Sequence, residues 1–180
     1  MPKNSRSWRR LDTAYSSTLE RPVSQLMEPI AVAADSFLVV GIKTRTTNRI
    51  ESAPETAKIP ALWRRYLVDK IGTAVTDRVS ADEVIVVYTD FVDDSRGAYN
   101  VIIGPKVPTL DHAPKGMDGV AVDAGRYIRF APEDRTCQSM VETWDEIRRF
   151  FRDSHENERA FTTEFEVHRP DGWEIYVSVK

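Results

Sequence analysis

The first stretch of sequence that decides the fold is Phe37-Leu38-Val39-Val40-Gly41-Ile42-Lys43-Thr44-Arg45-Thr46. Its beginning is apolar and rich in β-branched residues, and its end alternates between apolar and polar side chains. β-branched residues fit the pleated surface of a sheet, and alternation places one face on a core. The stretch therefore predicts a partly buried β-strand.

An amphipathic helix follows this strand in the sequence. Pro60 suits the first turn of a helix, where its missing N–H needs no partner, and Gly72 stands where a left-handed residue would end it. The pattern predicts a helix over residues 59–71. Steps of three and four build its apolar stripe, which consists of Ile59, Leu62, Trp63, Tyr66, Leu67 and Ile71.

Two β-rich runs come next, residues 83–91 and 99–104. The polar segment between them contains Gly97, and hairpin loops commonly need such a glycine. The two runs therefore predict an antiparallel hairpin.

The same order of elements then recurs along the chain. We predict a strand over 119–130, a helix over about 136–152, and strands over 161–168 and 173–179. Trp144 in the second helix parallels Trp63 in the first, which indicates a duplicated unit. Neither unit can bury its own apolar surfaces. The sequence thus predicts an α+β fold in which two pseudo-symmetric strand-helix-strand-strand units form one antiparallel curved sheet, with two helices and a central ligand cleft.

Residues 1–34 are predicted to be an irregular N-terminal arm, and residues 35–180 the folded domain. The arm shows only a weak helical stripe, and no helix-turn-helix motif fits it. Its basic residues between Lys3 and Arg10 are typical of a solvated tail, although they could contact phosphate. No apolar block follows them, so no signal peptide is predicted.

Composition excludes several classes of protein. The formal net charge is −3, which gives no general attraction to nucleic acid or to an anionic membrane. The single cysteine, Cys137, cannot form an internal disulfide, as expected for a cytoplasmic protein. The apolar stretches are far shorter than the roughly 20 residues of a membrane span. We expect no direct nucleic-acid or membrane partner, and the sequence leaves monomer and homodimer open.

Motifs for nucleotide, metal or covalent chemistry are not found. The sequence has no phosphate-binding glycine loop and no Gly-x-Ser-x-Gly elbow. The acids Asp90, Asp93 and Asp94 miss the spacing of a calcium loop. We therefore predict no cofactor and no metal site, and assign no catalytic residue.

One strand carries an unusual pattern of acids. Alternation along residues 164–168 places Glu164, Glu166 and His168 on one face, and Phe165 and Val167 on the other. The acidic face is either the wet side of a terminal hairpin or the floor of a cleft. In a cleft, a carboxylate among aromatic rings would attract a large organic cation.

Six short strings, in their order along the chain, resemble the gyrase-inhibitor-like effector-binding family. This family includes the sensor domains of AraC-type and MerR-type transcription activators and integron-cassette-associated effector-binding proteins. The resemblance covers residues 28–180, and the strings are Ile59-Pro60-Ala61-Leu62-Trp63, Val87-Tyr88-Thr89-Asp90-Phe91, Tyr99-Asn100-Val101-Ile102-Ile103-Gly104, Gly125-Arg126-Tyr127, Phe165-Glu166-Val167 and Glu174-Ile175-Tyr176-Val177-Ser178-Val179-Lys180.

The resemblance implies an aromatic pocket with an acidic residue, suited to bulky cationic or amphiphilic compounds. Glu166 matches the family's glutamate, whereas Glu164 stands where the family usually has Asp and His168 where it often has Tyr. A histidine there could hold the carboxylate ionised, respond to pH, or be exposed and idle. The candidate ligand-binding residues are Trp63, Tyr88, Phe91, Tyr99, Tyr127, Glu166, His168 and Trp173.

Three functions fit these observations. The first is a stand-alone binding protein for a small hydrophobic or cationic ligand, which sequesters it or signals to a separate transcription regulator. The second, implied by similar proteins, is a hydrolase of strained cyclopropane-containing toxins that uses Glu166 with Tyr127 or Tyr88. The third is a protein-interaction inhibitor that binds through its acidic surface.

Overall fold

The computed structural model describes residues 28–94, 96–131, 137–154 and 156–180, with backbone alone at 137–139. None of the helices in these ranges is long and apolar enough to span a membrane. In chain order the elements of the described residues are β1 (Ile30–Ala34), β2 (Phe37–Thr47), α1 (Asn48–Glu51), α2 (Ile59–Val68), α3 (Ile71–Ala74), β3 (Val84–Thr89), β4 (Ala98–Gly104), β5 (Lys106–Val107), β6 (Asp118–Val122), β7 (Gly125–Phe130), α4 (Cys137–Asp153), β8 (Glu164–Arg169) and β9 (Gly172–Ser178).

The predicted α+β fold and its duplicated unit are confirmed. The strands form one antiparallel, curled sheet in the order β1-β7-β9-β8-β3-β4-β2-β5, and β6 also pairs with β2. The first unit contributes β2, α2, β3 and β4, and the second contributes β7, α4, β8 and β9. The two units meet where β3 pairs with β8. This pairing is centred on Val86 opposite Glu166, so the pseudo-two-fold axis passes beside Glu166.

Each face of the sheet has its own core. On the helix face, α2 covers a cluster that includes Val86 and Ile103, and α4 covers another that includes Phe130 and Ile175. Trp144 packs against both clusters and so fills the seam between the two units. On the other face, Phe165 and Val167 pack with residues such as Phe37 and Val39 of β2, as alternation predicts.

Strand β2 serves two parts of the sheet because its backbone approaches β4 very closely. Residues Phe37–Gly41 pair with β6, whereas Ile42–Thr47 pair with β4. A Cβ at Gly41 would lie 2.0 Å from the carbonyl oxygen of Ile103. Only glycine fits this contact, so the glycine inside the predicted strand allows β2 to change partners.

The predicted C-terminal end of the first helix is wrong. Helix α2 ends at Val68, and Lys70 rather than Gly72 adopts the left-handed conformation, with φ of 51°. Gly72 lies in the short helix α3, where an added Cβ would meet the Tyr66 hydroxyl at 2.4 Å. The glycine therefore provides room for Tyr66 instead of ending the helix.

Two further predictions need correction. The single strand predicted over 119–130 is split into β6 and β7, which pair with different strands, β2 and β9. The end of the predicted irregular arm is strand β1, which pairs with β7. Residues 1–27 lie outside the described residues, so the division into arm and domain stays a prediction.

Helix α2 is capped by a side chain from α1. Its N-cap residue, Lys58, makes no side-chain cap. Instead the Glu51 carboxylate accepts hydrogen bonds from the backbone N–H of Lys58 (3.0 Å) and of Ile59 (3.2 Å), and from the Thr46 hydroxyl. A carboxylate here satisfies free N–H groups and interacts favourably with the helix dipole.

We expect Glu51→Ala to lower the free energy of unfolding by about 1–2 kcal/mol, the usual value of a lost N-cap. Chemical denaturation measures it, with Glu55→Ala as the control because Glu55 is exposed in the same segment. Equal effects of the two substitutions would show that the cap contributes nothing.

Candidate functional site

Glu166 lies at the centre of the molecule. Strand β8 places it opposite Val86 of β3, on the face that both helices cover. Its side chain is fully buried, and that of Glu164 is 1% exposed. The acidic face of this strand therefore lies inside the protein, and the interpretation that it is the solvent-exposed side of a terminal hairpin is wrong.

Three side chains bind the Glu166 carboxylate. The Tyr88 hydroxyl donates to Oε1 at 2.7 Å and the Trp144 indole N–H donates to the same oxygen at 2.9 Å. Nε2 of His168 lies 2.8 Å from Oε2. Burial, followed by the charge of Glu166, raises the pKa of Tyr88 well above its usual value. Tyr88 therefore stays a neutral donor, and of the three side chains that bind this carboxylate His168 is the one that can carry a positive charge.

The pseudo-two-fold axis relates these contacts in pairs. Rotation about the Val86–Glu166 pair exchanges β3 with β8 and brings Tyr88 onto His168. Tyr88 and His168 each make a T-shaped contact with a helix tryptophan of the other unit. The ring centroids of Tyr88 and Trp144 are 5.4 Å apart, and those of His168 and Trp63 are 4.9 Å apart. A single carboxylate is thus enclosed by a symmetric frame of aromatic rings.

The second acid, Glu164, has a cation of its own. Arg159 binds it through two nitrogens, with Nη2 2.5 Å from Oε2, and its guanidinium also lies 4.4 Å from the Phe161 ring centroid. Burial raises the pKa of Glu164, and the hydrogen bonds and charge of Arg159 oppose that rise. Glu164 is already paired with Arg159, whereas no Lys or Arg among the described residues forms an ion pair with Glu166.

The structure places five of the predicted site residues together: Trp63, Tyr88, Glu166, His168 and Trp173. Tyr99 and Phe91 adjoin them, since the Tyr99 ring lies 6.1 Å from Tyr88 and 5.4 Å from Phe91. The Tyr99 hydroxyl, however, donates to Oδ1 of Asn48, and burial raises the pKa of Tyr99 to about 12.

Tyr127 is not brought to Glu166. Its ring packs on Phe165 and Tyr176 on the opposite face of the sheet, and its hydroxyl donates to the Asp123 carbonyl. The pairing of Glu166 with Tyr127 that a hydrolase would use is therefore not assembled, whereas the pairing with Tyr88 is.

An open groove of about 810 Å³ lies beside this frame, at the C-terminal half of α4. Arg159 and Phe161 form its boundary with the buried acids, and its other lining residues include Arg148, Phe151 and Lys180. Glu166 does not line this groove, and its carboxylate is hydrogen-bonded to the Trp144 indole instead. Within the described ranges, no three His, Cys, Asp or Glu side chains meet as metal ligands would.

A family model for integron-associated effector-binding proteins, Cass2, matches residues 32–179. The chain belongs to the Cass2 family. The match covers both structural units and every strand that contributes to the site. No curated protein matches the chain in sequence.

Solved structures share the Cass2-family fold. An integron cassette protein of Vibrio cholerae is 27% identical, with a TM-score of 0.74 over 86% of this chain and 97% of that one. SAV2435 bound to tetraphenylphosphonium is 16% identical, with a TM-score of 0.69 over 86% and 94%. EcmrR, in a complex with DNA, is 9% identical, with a TM-score of 0.53 over 88% and 58%. The last two show a shared fold alone.

Two site residues of this Cass2-family chain were not predicted from its sequence. Trp144 was assigned to the apolar stripe of the second helix, and its indole N–H gave no sign of a buried acceptor. Arg159 lies in an irregular segment with no periodicity. Their signal is indirect: a buried strand with two glutamates requires nearby donors.

Proposed function

We propose that this chain is a binding protein for bulky lipophilic organic cations, with Glu166 as the counter-charge. The observation that carries the proposal is a fully buried carboxylate that has no Lys or Arg partner in the described part of the chain and lies inside a frame of aromatic rings. Buried charges require a partner, and aromatic faces attract cations. A delocalised organic cation satisfies both, and its desolvation costs less than that of a small ion.

The shared fold supports this class of ligand. A structural neighbour, SAV2435, was solved with tetraphenylphosphonium, a cation of this kind. Here the frame of Trp63, Tyr88, Trp144 and Trp173 supplies rings on both sides of one carboxylate. The charge selects for cations, and the rings select for hydrophobic bulk.

Entry of a ligand requires Trp144 to move, because its indole is hydrogen-bonded to Glu166. Three of the four tryptophans of the chain, Trp63, Trp144 and Trp173, belong to the site. Tryptophan emission therefore reports on binding, and a bound cation replaces an internal hydrogen bond rather than filling an empty cavity.

We expect the protein to bind tetraphenylphosphonium with a Kd on the order of micromolar, measured by calorimetry and by quenching of tryptophan emission. Triphenylphosphine oxide, which is neutral and also carries phenyl groups, is the control ligand and should bind far more weakly. Equal affinity for the two compounds, or no binding of either, would contradict the proposal.

The consequence of binding in the cell is, in this proposal, either sequestration of the cation or recognition of the loaded protein by a separate transcription regulator. These outcomes differ in a measurable way. Recognition by a regulator requires that the loaded protein present a surface different from that of the free one. Hydrogen exchange with and without tetraphenylphosphonium measures this difference, and protection confined to the site would favour sequestration.

A further inference from the structure

His168 lies against the same carboxylate and aromatic rings that would surround a bound organic cation. Its Nε2 lies 2.8 Å from the Glu166 carboxylate, and its side chain is only 18% exposed. The Trp63 ring meets it edge-on at 4.9 Å, and the Trp173 ring lies nearly parallel to it at 6.4 Å. The idle, exposed histidine considered from the sequence is therefore wrong.

Protonation of His168 changes its interaction with Glu166 from a hydrogen bond to an ion pair. Neutral imidazole makes a hydrogen bond and adds no charge, whereas imidazolium is a flat, delocalised cation held by a carboxylate and aromatic rings. That is the chemistry of the ligand proposed above. The protonated ring would then bind the same carboxylate that the proposed ligand binds.

Among the described residues, the groups that face His168 come from its own strand, from β3 and β9, and from the two long helices. On its own strand, Glu166 touches it, and Glu164 lies further along, already bound by Arg159. Strand β3 presents Val84 opposite it, and Tyr88 acts through the shared carboxylate. Helix α2 and strand β9 contribute indoles, Trp63 and Trp173, and α4 contributes the indole of Trp144 through Glu166. One negative charge is thus available to one cation.

We propose that a proton on His168 and a cationic effector compete for Glu166, so that acidification releases the effector. This inference rests on the proposed function. The sign follows from charge balance: an effector that binds the protonated form must expel the proton, and one that binds the neutral form meets a free carboxylate. Affinity is therefore highest at alkaline pH and falls when acidification places a proton on His168.

The test is the Kd of tetraphenylphosphonium between pH 5 and 8, where histidine ordinarily changes its charge. We expect the Kd of the natural protein to rise by up to about tenfold for each unit of acidification within that window, the limit for one linked proton. His168→Gln keeps a hydrogen-bonding side chain without the charge and should lose this dependence. His112→Gln is the matched control, because the His112 side chain is 74% exposed and lies beside Asp77, away from Glu166. This variant should keep the pH dependence of the Kd.

Proton release provides the second measurement. Calorimetry at pH 6 in buffers of different ionisation enthalpy should show a proton released on binding by the natural protein and none by His168→Gln. Release by both proteins would assign the proton to another group, such as Glu166, and overturn the inference. Binding without any pH dependence would also overturn it and leave the proposed function standing, whereas failure to bind at any pH would refute the proposed function itself.

Discussion

Replacement of Glu166 by Gln should weaken tetraphenylphosphonium binding by about 30-fold or more. Loss of one partner of a buried charge pair costs about 2–5 kcal/mol, and about 1.4 kcal/mol corresponds to a factor of ten. The substitution keeps the shape of the side chain and removes the charge. Calorimetry of the two proteins with the same ligand measures the effect.

The variant should still fold, which makes the measurement interpretable. The amide oxygen of Gln can accept from Tyr88 and Trp144 as Oε1 does now, and its NH₂ can donate to neutral His168. Glu174→Gln is the control, since Glu174 is on the neighbouring strand but binds Arg129 and Arg169. A similar loss of affinity in both variants would indicate a general effect of protein charge and not a role of Glu166.

Replacement of Arg159 by Met should lower the free energy of unfolding by about 3–5 kcal/mol at neutral pH, because it leaves the buried Glu164 carboxylate without a partner. Arg159 is itself only 13% exposed, so solvent cannot easily take its place. Urea denaturation followed by circular dichroism measures the loss. The effect should be much smaller in Arg159→Met/Glu164→Met, where no charge is buried.

The destabilisation of Arg159→Met should also depend on pH. Burial raises the pKa of Glu164 in the folded protein, and removing Arg159 removes the group that opposes this rise. The folded variant then holds its proton at pH values where the unfolded chain has lost it, so its stability is greatest below the ordinary pKa of glutamate and falls as pH rises. Equal destabilisation at pH 4 and pH 8 would contradict a buried, unpaired carboxylate.

Periodicity in the sequence predicted the parts of the fold that bury continuous apolar faces. The helix stripe from Ile59, the hairpin of β3 and β4, and the alternation of Glu166 against Phe165 all depend on side chains that lie within a few residues of each other. Because the second unit repeats these patterns, the pairing of the two halves followed from the need of each to cover the other. These elements are confirmed, except that Leu67 of the predicted helix stripe is 66% exposed and does not belong to the core.

The remaining features depend on contacts between distant residues, which periodicity does not report. Tyr127 was a candidate because the resemblance implies an aromatic pocket, and the break before β7 leaves alternation along residues 119–130 unable to predict the face on which it lies. The side of the sheet on which Tyr127 lies is set by its packing on Phe165. In the same way, Gly72 is explained by the close approach of the distant Tyr66 hydroxyl. Two partners of the buried acids, Trp144 and Arg159, come from α4 and from the segment before β8.

The most direct test of the proposed site is a crystal structure of the protein with tetraphenylarsonium, whose arsenic atom is located by its anomalous scattering. We expect an arsenic peak within about 6 Å of the aromatic rings around Glu166, with the Trp144 indole displaced from the carboxylate. A peak confined to the groove of Arg148 and Phe151, with the bond between Trp144 and Glu166 intact, would contradict it.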